Sequence, residues 1–157
     1  MLTSFVLVFN LLFGSSVPAV SQKSSTFDVI ARSIPNCERN WKEAEEPWRS
    51  DHIPVPQASI VWTNGSDDVT AYIFLFADGK TAAVNLKADR DDEPNLILKG
   101  IGDEAYLWSP TTNSRYDRYT IRFRKAGVLV LLSSRSEEVT RNSAKCIAGA
   151  IRPLEKD

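Results

Sequence analysis

Three arginines on one predicted strand are the side chains with the clearest potential for binding chemistry. Polar and apolar residues alternate from Arg118 to Lys125, which places Arg118, Arg122 and Arg124 on one face of a strand. Guanidinium groups bind carboxylates and phosphates through paired hydrogen bonds. The sequence therefore predicts a surface for an anionic ligand, and pairing of the same arginines with acidic residues of the fold is the alternative.

Asp103 and Glu104 are adjacent carboxylates, a residue type that serves in acid–base catalysis. Adjacent residues of a strand point to opposite faces, so these two cannot jointly flank one glycosidic bond. We expect Asp103 to accept hydrogen bonds from backbone donors of the preceding glycine-rich turn, and Glu104 to pair with an arginine of the next strand.

The acidic segment Asp89–Pro94 lacks the glycine and distal glutamate of a calcium-binding loop, which favours a solvated loop.

The single histidine, His52, limits the catalytic arrangements that the chain can form. It lies in a proline-rich connector, and no Gly-x-Ser-x-Gly motif accompanies it. One histidine and two distant cysteines do not have the spacing of a zinc site. The net charge of −1 does not indicate a general nucleic-acid surface. We therefore predict a non-enzymatic protein with no catalytic residue, no metal and no cofactor.

Two cysteines, Cys37 and Cys146, lie near opposite ends of the chain. In an oxidising compartment such a pair is expected to form a disulfide. Closing a loop of this length stabilises a fold by about 4 to 5 kcal/mol on the chain-entropy model. Two unpaired buried thiols are the alternative.

The amino-terminal segment has the layout of a signal peptide. An apolar run, Phe5–Phe13, precedes a helix-breaking region and small residues at Ala19 and Ser21. The segment carries no Lys or Arg, and a retained anchor is the alternative, but the run is shorter than the roughly 20 apolar residues of a membrane span. The sequence therefore predicts cleavage after Ser21 and a secreted or periplasmic protein without a stable membrane span.

The chain is predicted to have three parts: a signal peptide at 1–21, an irregular segment at 22–56 packed on the domain, and a single α+β domain at 57–157. The middle segment is broken by four prolines and allows two short helices, at Thr26–Ser33 and Asn36–Glu46. Its tryptophans, Trp41 and Trp48, are expected to pack this segment onto the core rather than to form a ligand cage.

Apolar segments and turn signals after residue 57 predict about five strands. They are Ala58–Thr63, Val69–Ala77, Ala105–Trp108, Arg118–Lys125 and Val128–Ser133. The last strand is apolar on both sides, so we expect it to be central or covered on both faces. Asn64-Gly65 predicts a hairpin turn between the first two strands.

Two further segments after residue 57 have helical patterns. Asp78–Leu86 fits either a helix capped by Asp78 or a hairpin strand, and the helix is preferred because two alanines are poor strand formers. Ser134 and Glu137 have the spacing of a capping box at the start of a C-terminal helix that ends before Pro153. The prediction is an α+β fold with a mostly antiparallel sheet of about five strands, and a C-terminal helix and a shorter helix packed on one face.

The Gly-x-Gly-Asp-Glu-Ala strand at Gly100–Trp108, followed by Ile121–Lys125 and Val128–Val130, resembles a pattern in small exported bacterial domains of uncharacterised function. A looser similarity extends to exported lipoproteins and extracellular kinase sensor domains of actinobacteria. The resemblance implies an α+β domain at the cell envelope and brings no catalytic residues. The chain differs from the lipoproteins because it lacks the lipidation cysteine.

These observations favour an exported, non-enzymatic domain that binds a small ligand or an envelope partner, with no nucleic acid as partner. A structural or protein-interaction module that uses the region of Trp41 and Trp48 is the second hypothesis. A hydrolase that relies on carboxylates alone is the third.

Overall fold

The structure, a computed structural model, describes residues 26–50, 54–88, 96–110 and 117–152. The signal-peptide segment, His52, the acidic segment Asp89–Pro94 and Pro153 lie outside the described residues. The helices are α1 (26–31), α2 (Ser33–Cys37), α3 (Gly79–Ala88) and α4 (Glu137–Ala150). The strands are β1 (Lys42–Glu43), β2 (Trp48–Ser50), β3 (Gln57–Thr63), β4 (Asp68–Leu75), β5 (Leu96–Leu98), β6 (Glu104–Trp108), β7 (Tyr119–Lys125) and β8 (Val128–Ser134).

The eight strands form one antiparallel sheet in the order β1–β3–β4–β8–β7–β6–β5. β2 also pairs with β3, so β1 and β2 together form one interrupted edge. The prediction of about five strands is wrong because the sheet also contains β1, β2 and β5. Each of these has two or three residues, too few to show a hydrophobic period in the sequence. β8 lies between β4 and β7, which confirms its predicted central position.

One face of the sheet carries the main hydrophobic core under α1, α2 and α4. Trp62 and Phe123 from the sheet pack there with Phe27 of α1 and Ile147 of α4, and all four are fully buried. The Trp62 indole N–H donates a hydrogen bond to the Ala31 carbonyl oxygen at 2.8 Å. The largest core side chain therefore has its polar atom satisfied and fixes α1 to the sheet.

Helix α3 packs against the opposite face of the sheet. Its Leu86 is fully buried in a cluster with Tyr106, Trp108 and Leu129. The strand neighbours of Tyr106 and Leu129 point into the main core, so α3 and α4 lie on opposite faces. The prediction that the helices pack on one face is wrong. The physical reason is that β8 has apolar residues on both sides, and a helix must shield each side from water.

Asp78 determines where α3 begins. Its carboxylate Oδ1 accepts a hydrogen bond from the Thr81 backbone N–H at 2.7 Å. This hydrogen bond lowers the pKa of Asp78 below its ordinary value of 3.8. The helix is thus confirmed over the hairpin strand, with the predicted capping residue.

The amino-terminal part of the described chain contains less helix than the sequence predicts. The predicted helix at Asn36–Glu46 is wrong, because α2 ends at Cys37 and β1 pairs with β3 instead. Trp41 is buried in the main core, as expected. Trp48 differs and is 56% exposed, because it pairs with Ser59, whose side chain points away from that core.

A disulfide joins Cys37 at the end of α2 to Cys146 in α4, with the two Cα atoms 6.0 Å apart. The predicted covalent link between the amino-terminal segment and the last helix is confirmed. Among the described residues, no helix combines the length and the apolar character needed to cross a membrane.

The start of α4 differs by two residues from the prediction. Ser136 is the N-cap, and its hydroxyl oxygen accepts a hydrogen bond from the Val139 backbone N–H at 3.4 Å. Ser134 is instead buried at the end of β8, where its hydroxyl lies 2.7 Å from the Thr140 hydroxyl. The predicted capping box at Ser134 is therefore wrong, because the extended strand continues to this residue.

Candidate functional site

Two of the three predicted ligand-binding arginines pair with carboxylates of the fold. Arg124 lies opposite Glu104 in the β6–β7 ladder, with Nε 3.3 Å from Glu104 Oε2 and Nη1 3.1 Å from Asp103 Oδ2. Arg118, just before β7, has Nη2 2.5 Å from Asp68 Oδ2. The positive charges of Arg118 and Arg124 are therefore balanced within the fold.

The third arginine, Arg122, is buried against an indole ring. Its guanidinium carbon lies 4.9 Å from the ring centre of Trp108, and only 6% of the residue is exposed. Cation–π attraction of this kind becomes stronger when water is excluded. The three arginines thus do not form a continuous exposed stripe, and the assignment of Arg118, Arg122 and Arg124 to ligand binding stays a prediction.

The adjacent carboxylates make different contacts. Asp103 Oδ2 accepts a hydrogen bond from the Ala126 backbone N–H at 2.9 Å, so it stabilises the β7–β8 turn rather than the preceding glycine-rich turn. Glu104 pairs with Arg124, as expected, and also accepts a hydrogen bond from the Tyr106 hydroxyl. The Tyr106 hydrogen bond, with help from Arg124, lowers the pKa of Glu104 below its ordinary value of 4.5, against the opposing effect of partial burial.

We expect Glu104→Gln to lower the free energy of unfolding at pH 7 by about 1 to 2 kcal/mol, since charge-assisted hydrogen bonds are lost. A carboxylate with a depressed pKa stabilises the fold above its unfolded-state pKa, and this contribution is lost as pH falls through the folded-state pKa. The difference between wild type and Glu104→Gln in urea unfolding should therefore shrink below pH 4.5. A difference that stays constant from pH 7 to pH 3 would contradict the assignment.

On the face that carries α3, two exposed aromatic side chains stand on either side of a small residue. Trp48 lies opposite Ser59, and Ser59 lies opposite Tyr72 in the next ladder. Directly opposed residues of antiparallel strands point to the same face. Trp48 and Tyr72 are 56% and 51% exposed, and two strand spacings, about 10 Å, separate their backbones. Large aromatic side chains exposed together on one sheet face are typical of binding surfaces.

The side chains around these two rings are uncharged. Residues of β2, β3, β4 and β8 that share this part of the face form a surface, the open platform. They are Trp48, Ser50, Gln57, Ser59, Val61, Thr70, Tyr72 and Ser133. Phe74 and Leu131 share the face and border the platform, where they pack against the cluster under α3. Within the described part of the chain, the side chains of Gln57, Ser59, Thr70 and Ser133 make no hydrogen bond. The platform therefore offers two exposed aromatic rings with both apolar neighbours and unused neutral hydrogen-bonding groups beside them.

Sequence reasoning missed this platform. Tyr72 could have been placed on the outer face, because it alternates with the buried residues Ala71 and Ile73. The side on which Trp48 points depends on its pairing with Ser59. No local pattern in the sequence indicates that pairing, since β2 has three residues.

A groove of about 710 Å³ lies between α1, α2 and α4, beside the disulfide. Asp28, Arg32 and Lys145 line it together with Cys37 and Cys146. The Asp28 carboxylate pairs with Arg49 at 2.6 Å. Because both signs of charge line the groove, its composition favours no single class of ligand.

Taken together, the sheet and its helices define an α+β domain with one covered face and one partly open face. Comparisons with protein families, with curated proteins and with solved structures give no match to this chain. The similarity to exported bacterial domains therefore stays a prediction.

Proposed function

We propose that this chain is an exported, non-enzymatic binding domain whose ligand lies on the open platform. The observation that supports this function is the exposure of Trp48 and Tyr72 on the same sheet face, on either side of Ser59. Strand pairing fixes the backbones of both residues, which lowers the conformational entropy that binding to them costs. The platform replaces Arg118, Arg122 and Arg124 as the first place to search for a ligand.

Export to the periplasm or the cell exterior is supported by the disulfide between Cys37 and Cys146. Disulfides persist mainly in oxidising compartments. Mass spectrometry of the protein from its native host, before and after reduction and thiol alkylation, tests this part of the proposal. A mature chain that begins at Gln22, with both thiols blocked until reduction, is the expected result, and two alkylatable thiols in the untreated protein would contradict it.

A protein-interaction module is the second candidate function. It is favoured by the position of Trp48 on the edge strand β2, where a partner strand can add to the sheet. Trp41 takes no part in it because that residue is buried. Sedimentation that depends on concentration, and that is lost in Trp48→Ala, would favour this candidate over ligand binding.

The fluorescence of Trp48 gives a direct test of the platform. The chain has four tryptophans, and Trp41, Trp62 and Trp108 are 6%, 0% and 2% exposed, so acrylamide quenching reports mainly on Trp48. We expect cell-envelope material from the native host to reduce this quenching at least twofold. Trp48→Phe should remove the quenchable signal and keep the buried tryptophan fluorescence. Unchanged quenching of the wild type would contradict binding at the platform.

A further inference from the structure

We infer that the open platform binds an uncharged polysaccharide, as an extended chain of pyranose rings that stacks on Trp48 and Tyr72 and passes over Ser59. The inference rests on the proposed function and assigns the chemical class of its ligand. Three features of the platform lead to it: the separation of the strands that carry the two rings, the chemistry of the side chains around them, and the position of Tyr72 inside the sheet.

The strands that carry the two rings have a separation that suits an extended sugar chain. A pyranose ring has an apolar face of C–H groups that packs against an aromatic ring, while its hydroxyl groups project from its edge. Trp48 and Tyr72 are two strand spacings apart, about 10 Å, which is close to one disaccharide unit of an extended β-linked chain. Ser59 lies between them, and its small side chain leaves room for the intervening sugar.

The hydrogen-bonding groups of the platform match hydroxyl groups. The Ser59, Thr70 and Ser133 hydroxyls and the Gln57 amide can each donate and accept, as sugar hydroxyls do. Carboxylates only accept and guanidinium groups only donate, and the open platform contains neither.

The same composition disfavours an anionic polymer. Carboxylate or phosphate groups buried against a neutral surface lose hydration without gaining a countercharge. The charged side chains of this face lie outside the platform: Arg118 pairs with Asp68, and Arg122 is buried against Trp108. Lys42 lies opposite Thr63, at the far end of β3 from Gln57. The charge pattern therefore fits a ligand without charge.

The position of Tyr72 favours a ligand that lies across the sheet face. A peptide that added to the outer edge of β2 would use backbone groups of that strand. Tyr72 lies on β4, two strands further into the sheet, and would stay uncovered. An extended sugar chain that runs across the strands covers both rings.

Calorimetric titration with cellohexaose and chitohexaose, two neutral β-linked hexasaccharides, tests the inference, with hexagalacturonate as an anionic comparison. We expect at least one neutral hexasaccharide to bind and the anionic one not to bind. Trp48→Ala and Tyr72→Ala should each weaken binding about tenfold, since each removes one stacking contact. Ile97→Ala is the matched control, because Ile97 is 65% exposed on the opposite edge strand. The Ile97→Ala variant should bind the hexasaccharide with the affinity of the wild type.

A pair of substitutions at Ser59 tests the charge of the ligand independently of stacking. For a neutral chain, Ser59→Asp and Ser59→Lys should weaken hexasaccharide binding to a similar extent, within about threefold. Binding of hexagalacturonate that Ser59→Lys strengthens and Ser59→Asp weakens would overturn the inference in favour of an anionic ligand. Far-UV circular dichroism and thermal melting of each variant separate loss of binding from loss of the fold.

The two proposals fail in distinguishable ways. If envelope material protects Trp48 from acrylamide but neither neutral hexasaccharide binds, the polysaccharide assignment is wrong and the proposed function stands. If neither the envelope material nor the hexasaccharides affect Trp48, both are wrong.

Discussion

Replacing both cysteines, in Cys37→Ser/Cys146→Ser, is expected to lower the free energy of unfolding by about 4 to 5 kcal/mol. The disulfide closes a loop with a sequence separation of 109 residues. Without it, the unfolded chain gains the conformational entropy that the link removes, while the packing of the native state is retained. This loss is a large share of the 5 to 15 kcal/mol that is typical of a domain of this size.

Urea unfolding at pH 7, followed by circular dichroism, measures the effect. Wild-type protein with the disulfide reduced is the matched control, and its transition should coincide with that of the double variant. A double variant that unfolds within about 1 kcal/mol of the oxidised wild type would contradict the expected entropic effect of the link on the unfolded chain.

The disulfide also bears on how α1 and α2 are retained on the domain. The main core fully buries three side chains of these helices, Phe27, Ile30 and Ile34. The Trp62 indole N–H also donates a hydrogen bond to the Ala31 carbonyl oxygen. These contacts are independent of the covalent link. The reduced protein is therefore expected to keep its amino-terminal helices in place, with a lower overall stability rather than a rearranged fold.

The hydrophobic pattern and the turn signals predicted the long strands, and the structure confirms them. β3, β4, β7 and β8 each have seven or eight residues, enough for an alternating pattern, as in β7, or a continuous apolar run, as in β8, to be visible. β1, β2 and β5 were missed because they are strands only through pairing with β3 or β6. Tertiary pairing of this kind leaves no local signal in two or three residues.

The sequence-based prediction also wrongly placed the helices on one face, although the apolar character of β8 indicated the correct arrangement. β8 is apolar on both sides, and its residues Leu129 and Val130 pack under α3 and in the main core respectively. A central strand with two apolar sides requires cover on both faces. That requirement conflicts with helices on one face only, and the structure resolves the conflict by placing α3 opposite α4.

In the candidate site too, the sequence pattern of one strand predicts the face on which a residue lies, whereas its partners depend on how the strands pair. The alternation of β7 correctly placed Arg122 and Arg124 on one face. Their partners, Trp108 and Glu104, come from β6, and only the register of the ladder brings them into contact. In the same way Trp48 and Tyr72 become neighbours across Ser59 through two ladders. Binding surfaces built across strands are therefore harder to predict than those built along one strand.

Gly102→Ala is expected to lower the free energy of unfolding by about 3 to 4 kcal/mol, because it combines backbone strain with a steric overlap. Gly102 has a φ of 60°, a conformation that residues with a Cβ atom adopt at a cost. A Cβ atom at this position would lie 2.3 Å from the Arg124 carbonyl oxygen. That oxygen accepts the Asp103 backbone N–H at 2.8 Å, so relieving the overlap breaks a hydrogen bond between the turn and β7.

Gly100→Ala is the matched control, because it separates strain from overlap within the same turn. Gly100 has a φ of 78°, but a Cβ atom there would meet no atom within 4 Å. It should therefore cost only the left-handed backbone penalty, about 1 to 2 kcal/mol. Urea unfolding of the two variants at pH 7 should differ by about 2 kcal/mol, with Gly102→Ala the less stable. Equal losses would mean that β7 moves away from the turn without cost, and that the Asp103 and Glu104 contacts to Arg124 do not hold the two strands in register.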